Sequence, residues 1–211
     1  MNDIFGPGSN LSTRFIPDYQ QLSEKIQFLK NIGMEIILTS GTFDLFHMGH
    51  GRYLEKAKQS AKNFDKAILV VGVDSDERVR DRKGPDRPIV SENERVETIC
   101  HSRYADLVTL KRKEDQKWEL IKIVSPDILI ISERTKYSDE EIILLDEWCG
   151  KVVALESQAT TSTSAKVRLL HINFSEKMKK EVLEHLDITK DKIVKIFDAT
   201  KEAQGKGGKN E

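Results

Sequence analysis

The sequence predicts an α/β fold in which a parallel sheet carries helices on both faces, followed by a C-terminal helical appendage. Three observations support this. Ala67 to Val73 is an unbroken apolar run of strand length, the pattern of a strand covered on both faces. Strand-like runs alternate with helical stretches, as the crossovers between parallel strands require. Ser175 to Lys201 is different in kind, being highly charged with apolar residues only at helical spacing.

Residues 1–18 hold Gly6, Pro7, Gly8, Ser9 and Pro17 with little periodicity and are expected to form a flexible arm. From Tyr19 to Ile32, Leu22, Ile26, Leu29 and Ile32 recur at helical spacing, and Gly33 supplies a stop. Glu35 to Ser40 reads as a buried strand ending in the turn Ser40-Gly41-Thr42, with a helix from about His50 to Ser60. After the strand at Ala67 come a helix over Ser91–Ser102, a short strand over Asp106–Leu110 and a helix over Asp115–Val124. A strand over Asp127–Ile131, a helix over Ser138–Trp148 and a strand over Lys151–Leu155 complete the alternation. The expected organisation is a main domain over residues 19–172, C-terminal helices over 173–203 and a disordered tail over 204–211. Met178, Val182, Leu183, Leu186, Ile193, Val194 and Phe197 form the apolar stripe of those helices, which predicts packing on the core or a homodimer.

Composition narrows the function. The chain has 211 residues, enough for one domain with a proper core. Its 34 Lys and Arg nearly cancel its 35 Asp and Glu, so no basic field argues for nucleic acid as a partner. Cys100 and Cys149 are too few for a disulfide framework and lack the spacing of a zinc site. The longest apolar runs are strand-sized, and the N-terminus lacks a basic segment followed by an apolar one. A cytoplasmic protein that does not associate with membranes is expected.

The segment with the most chemistry is Leu38 to Lys58, where a buried strand ends in a glycine turn and His47 and His50 stand where a helix begins. Free backbone N–H groups and the positive end of the helix dipole make such a start an anion site. Gly41 and Gly49 let main chain approach a ligand closely, and two imidazoles can donate hydrogen bonds to phosphate oxygens as charge shifts. Arg52, just inside the helix, adds a fixed positive charge. Two histidines at this spacing without a third ligand do not make a closed zinc site, so no protein-bound metal is expected here.

Gly41-Thr-Phe-Asp-Leu-Phe-His-Met-Gly-His50 resembles the signature of the nucleotidyltransferase superfamily that includes the cytidylyltransferases and the sugar-phosphate adenylyltransferases. The resemblance covers about Glu35 to Arg168 and implies a Rossmann-like fold. It implies that His47 and His50 contact the phosphates of an NTP, with main chain near Thr42 and Phe43 holding the nucleotide. Asp44 orients the motif, meets a metal ion on the phosphates or caps the turn, and Asp76 reaches the nucleotide or caps the next helix.

Three further segments extend the likeness. Asp81 to Val90, a basic loop bearing Gly84, Pro85 and Pro88, is similar to a loop of the heptose-phosphate adenylyltransferases and makes Lys83 and Arg87 candidates for substrate phosphate. Ser91 to Asp106 is similar to the Glu-Arg helix of choline- and ethanolamine-phosphate cytidylyltransferases, with Arg95 as a phosphate contact and Arg103 and Asp106 as an ion pair or cap. Thr160 to Ser164 resembles the family's hydroxyl-rich run, placing Ser162, Thr163 and Ser164 at the nucleotide, although a plain helix cap explains such a run as well. Two stretches depart from the pattern. Glu156-Ser-Gln-Ala159 lacks the arginine that cytidylyltransferases carry there, and Ser132-Glu-Arg-Thr135 replaces the glycine-rich segment of the adenylyltransferases.

The implied reaction is transfer of a nucleoside monophosphate from ATP or CTP to a small phosphorylated acceptor, a sugar phosphate first, with Mg²⁺ on the phosphates and pyrophosphate released. The alternatives are a cytidylyltransferase for a phospho-alcohol, an FMN adenylyltransferase, or a nucleotide-binding protein without turnover.

Overall fold

The computed structural model describes residues 10–133, 137–156, 158 and 163–206, with side chains described except at 163–166, 168 and 198–206. Contacts divide the chain into a unit ending at Ser162 and a unit beginning at Thr163.

The first unit is built on a five-stranded parallel sheet: β1 (Glu35–Gly41), β2 (Ala67–Asp74), β3 (Leu107–Lys111), β4 (Ile128–Ser132) and β5 (Val152–Leu155). Their spatial order is β3-β2-β1-β4-β5, so the order reverses between β1 and β4. Eight helices and a short 3₁₀ turn (Phe64–Lys66) connect and extend these strands among the described residues: α1 (Leu11–Arg14), α2 (Tyr19–Asn31), α3 (Met48–Gln59), α4 (Asp76–Lys83), α5 (Glu92–Cys100), α6 (Glu119–Val124), α7 (Asp139–Asp146) and α8 (Thr163–Lys206). The Rossmann-like α/β expectation is met.

The sheet's two faces follow from the alternation of side chains along each strand. Ile36, Leu38, Ile68, Val70, Leu107 and Leu129 point to a core with Leu22, Ile26 and Leu29 of α2, Leu120 and Val124 of α6 and Leu145 of α7. Ile37, Leu69, Val71, Val73, Val108 and Ile130 point the other way, to Leu54 and Ala57 of α3 and Val96 and Ile99 of α5. β2 is buried at all eight positions, which is why its sequence reads as a continuous apolar run.

Polar groups lock the layers together. Thr39 Oγ1 donates to the Ile130 carbonyl of β4 and lies 2.9 Å from the Tyr53 hydroxyl of α3. Asp106 does not pair with Arg103: Lys58 Nζ of α3 reaches its two oxygens at 2.7 and 2.8 Å, and the Leu69 amide donates to it at 2.7 Å. Burial raises the Asp106 pKa and Lys58 opposes that rise, the behaviour of a carboxylate that folding removes from water. Arg103 instead lies over the Tyr104 ring.

Several expected boundaries move, each for a local reason. Of the arm expected over residues 1–18, residues 10–18 are ordered into the fold. Asn10 and Thr13 cap α1 reciprocally, Ile16 is 7% exposed, and its amide donates to the Val108 carbonyl. Arg14 Nη1 donates to the carbonyls of Cys100, Ser102 and Ala105 beyond the end of α5. The helix expected from Asp115 begins only at Glu119, because Trp118 takes φ +64° and residues before it form a turn held by Asp115. The basic loop expected from Asp81 begins instead at Gly84, since Asp81, Arg82 and Lys83 complete α4.

The second unit is one helix of 44 residues rather than separate helices, about 66 Å long at the α-helical rise, and it includes Gln204 to Lys206 of the expected tail. Leu169, Phe174, Val182, Leu186 and Phe197 on it are exposed. Among the described residues no helix is long and apolar enough to cross a membrane.

Candidate active site

In an open parallel sheet, ligands sit beyond the carboxyl ends of the strands where the strand order reverses. Here β1 delivers the segment Thr42 to His47 to that edge, between the end of β1 and the start of α3. The segment is bent tightly. Phe43 and Leu45 have φ of +52° and +45°, a region that costs free energy for residues with a Cβ and persists only where surrounding contacts enforce it. Gly41 makes the bend feasible, because a Cβ there would stand 3.2 Å from Phe43 Cε2.

His47 is the N-cap of α3. Its Nδ1 accepts the Gly49 amide at 3.0 Å, while the His50 amide donates to the His47 carbonyl at 2.9 Å. An Nδ1 that accepts places the proton of the neutral ring on Nε2. The His50 ring stacks on His47 with centroids 4.0 Å apart and planes 20° from parallel. The Phe43 ring meets His50 edge-on at 5.5 Å, and Phe46 lies at the same centroid distance. Both histidines are half-buried, with His50 Nδ1 itself turned into the protein. Gly49 is buried between them in sequence, and Arg52 is exposed on the same helix.

What holds the bend is a set of charged groups turned inward. Arg95, from α5, is 1% exposed; Nη1 donates to the Thr42 carbonyl at 2.6 Å, Nε to the Val90 carbonyl at 2.9 Å and Nη2 to Asp76 Oδ1 at 2.8 Å. Arg95, expected at a substrate phosphate, is thus a buried guanidinium with all three nitrogens bound to protein groups around the loop. Asp76 is the first residue of α4, with its amide donating to Glu92 and its carboxylate bound to Arg95. The cap of α4 is Ser75, not Asp76.

Asp44 is 6% exposed and ties the bend to the segment after α4. Its oxygens accept the Val90 amide at 3.0 Å, the Ile89 amide at 3.1 Å and Arg87 Nη1 at 3.1 Å. Burial alone would raise its pKa, but the Val90 and Ile89 amides and the Arg87 guanidinium outweigh it and hold the carboxyl below the usual carboxylate range. Lys83 Nζ donates to Thr42 Oγ1 at 2.9 Å. The structure thus brings Gly41, Thr42, Phe43, Asp44, His47, Gly49, His50, Asp76, Lys83, Arg87 and Arg95 into one neighbourhood. Thr163 and Ser164 open α8 in the other unit, and Ser162 lies outside the described residues.

Sequence reasoning overlooked Asp74 and Arg82. Asp74 ends β2 with a side chain 3% exposed, and Arg82 Nη2 bridges its Oδ2 at 2.7 Å and Thr42 Oγ1 at 3.0 Å. The available signal was positional: Asp74 is the first charged residue after a fully apolar strand, at the edge where ligands bind.

The profile of the cytidylyltransferase-like family matches residues 38–168, and the chain belongs to that family. The bifunctional protein HldE of a Nitratiruptor species is 35% identical over 158 residues, covering 73% of this chain and 32% of that protein. HldE of Desulfatibacillum aliphaticivorans is 38% identical over 148 residues, covering 69% of this chain and 29% of that protein. The chain therefore spans about a third of the length of these relatives. A crystal structure of the lipopolysaccharide core biosynthesis protein from Thermoplasma volcanium GSS1 superposes with a TM-score of 0.51 at 27% identity, covering 59% of this chain and 98% of that one.

Because Asp44 is ionised more readily in the fold than in the unfolded chain, its contribution is present above the unfolded carboxylate value of about 3.9 and is lost as pH falls through the lower folded value. Asp44→Asn is expected to lower stability at pH 7 by about 2 kcal/mol, a shift of several degrees in melting temperature. The gap to the parent should narrow toward pH 3; melting curves that keep it constant across pH would contradict the anchoring role.

Proposed function

Starting from that family membership, we propose that the chain is a nucleotidyltransferase that joins a nucleoside monophosphate from ATP or CTP to the phosphate of a small sugar phosphate. An acceptor phosphate oxygen attacks the α-phosphorus, a new P–O bond forms, the bond to the bridging oxygen breaks, and pyrophosphate leaves. The observation that carries this reading is the pair of stacked imidazoles at the start of α3, with His47 Nδ1 committed to the Gly49 amide.

Such chemistry needs positioning and charge neutralisation rather than a protein nucleophile. His47 and His50 donate to the triphosphate as negative charge moves onto the leaving pyrophosphate, helped by the α3 dipole, with Arg52 as an added cation. The Gly41–Phe43 main chain is assigned to the nucleotide; Lys83 and Arg87 are assigned to the acceptor's phosphate. Preference for ATP over CTP rests on the likeness of the Lys83 to Ile89 loop to heptose-phosphate adenylyltransferases. A sugar acceptor is supported by the lipopolysaccharide core biosynthesis protein among the similar structures.

Mg²⁺ enters this reading as the cation of the NTP. Among the described residues no cluster of three ligating side chains could hold a metal, and the nearby Asp44 and Asp74 are bound by cations and amides. The residues present do not form a dedicated metal site, and the triphosphate itself supplies the oxygens that Mg²⁺ prefers. The reading also places the protein in the cytoplasm as a homodimer, supported by the exposed apolar residues of α8. A monomer by light scattering at high concentration would remove the dimer.

His47→Ser separates catalysis from folding, because serine is a good N-cap but cannot reach as far as imidazole Nε2. Pyrophosphate release from an NTP and a sugar phosphate should fall roughly a hundred- to a thousandfold, with the melting temperature nearly unchanged. Turnover equal to the parent's would contradict the assignment of His47.

A further inference from the structure

At the carboxyl edge of β2 and β3 a second knot of charge gathers on one carboxylate. Arg82 Nη2 lies 2.7 Å from Asp74 Oδ2, Arg78 Nε 3.4 Å from Oδ1, and Lys111 Nζ, from the end of β3, 3.9 Å from Oδ1. Lys111 also donates to Ser40 Oγ at the end of β1, and Lys83 joins through the Thr42 hydroxyl that it shares with Arg82. Other acids nearby are committed elsewhere. Asp44 is held by Arg87 and two amides, Asp115 accepts from the Tyr19 hydroxyl and the Arg112 amide, and Asp81 pairs with Lys113. One carboxylate cannot neutralise this many cations.

The surplus charge is felt by its own members. Burial lowers the Lys111 pKa, Asp74 opposes, and Arg78 and Arg82 lower it further; burial and then Arg82 lower that of Lys83. An anion placed among these groups would relieve the crowding and gain charge-assisted hydrogen bonds. The place is open, since Ser40 is exposed and the Arg82 side chain is 53% exposed. It also lies across β1 from β4, to the side of the crevice where the strand order reverses.

We infer that this edge is a second anion subsite, formed by Arg82, Lys111 and the hydroxyl of Ser40, that takes an additional phosphate or carboxylate of the acceptor. The preferred acceptor is then a sugar phosphate carrying two anionic groups. Naming the ligand as the acceptor rests on the transferase reading; binding of the anion does not.

Calorimetric titration of the full chain with glycerol 3-phosphate, 3-phosphoglycerate and glycerol 1,3-bisphosphate tests the subsite, the last two probing carboxylate and phosphate as the second group. At least one of the two-anion ligands should bind about tenfold or more tightly than glycerol 3-phosphate. Arg82→Gln should reduce that advantage to about twofold or less, with Lys111→Gln as a second probe of the same place. Lys113→Gln removes a cation paired with the exposed Asp81 and should leave the ratio as in the parent. Equal binding of all three ligands, no binding of either two-anion ligand up to about 10 mM, or an advantage that survives in both cluster variants would overturn the subsite. Pyrophosphate release is read separately. A two-anion preference without pyrophosphate from any NTP would keep the subsite and sink the transferase reading, and pyrophosphate release without that preference would do the reverse.

Discussion

The buried guanidinium of Arg95 is the constraint on which the site depends. A charge removed from water is tolerated only when it is paired and hydrogen-bonded, and losing one partner of such a group costs several kcal/mol. Arg95 satisfies this by joining the carbonyl that follows β1, the carbonyl of Val90 and the carboxylate that opens α4. Three segments distant in sequence are thereby fixed around Thr42. The left-handed conformations of Phe43 and Leu45 persist because Arg95 on one side and Asp44 on the other leave the chain no relaxed alternative.

The acidic residues near the α3 start share one economy. Asp44, Asp74 and Asp76 are each bound to cations or amides of the protein. With their negative charge satisfied inward, the surface left toward a ligand is imidazole, ammonium, guanidinium and the positive end of a helix. That is the polarity a triphosphate and an acceptor phosphate require. On the transferase reading, this division of labour lets a chain of nearly zero net charge offer a cationic surface to a polyanionic substrate pair.

Much of this was legible in the sequence, and the limits have physical causes. The alternating strands and helices were visible because buried parallel strands leave continuous apolar runs, as in Ala67 to Val73. The His47–His50 pair was visible because a strand, a glycine turn and two histidines at a helix start form one local pattern. The role of Arg95 was not visible, since its partners lie 5, 19 and 53 residues away and an arginine on a helix reads as solvent-facing. α4 escaped because Val79 is its only buried residue, which leaves no apolar periodicity to detect. α1 escaped because four residues are too few for a pattern, and a reciprocal cap at Asn10 and a buried Ile16 secure it instead.

The central claim is that this edge of the sheet builds a phosphoanhydride between a nucleotide and an acceptor phosphate. Phosphorus-31 NMR of the full chain with Mg²⁺, ATP or CTP, and a panel of sugar mono- and bisphosphates tests it most directly. The account predicts that, with at least one pair, paired diphosphate resonances of a new P–O–P ester appear together with free pyrophosphate in equal amounts. Spectra in which every NTP and acceptor persists unchanged, or in which only orthophosphate accumulates, would contradict it.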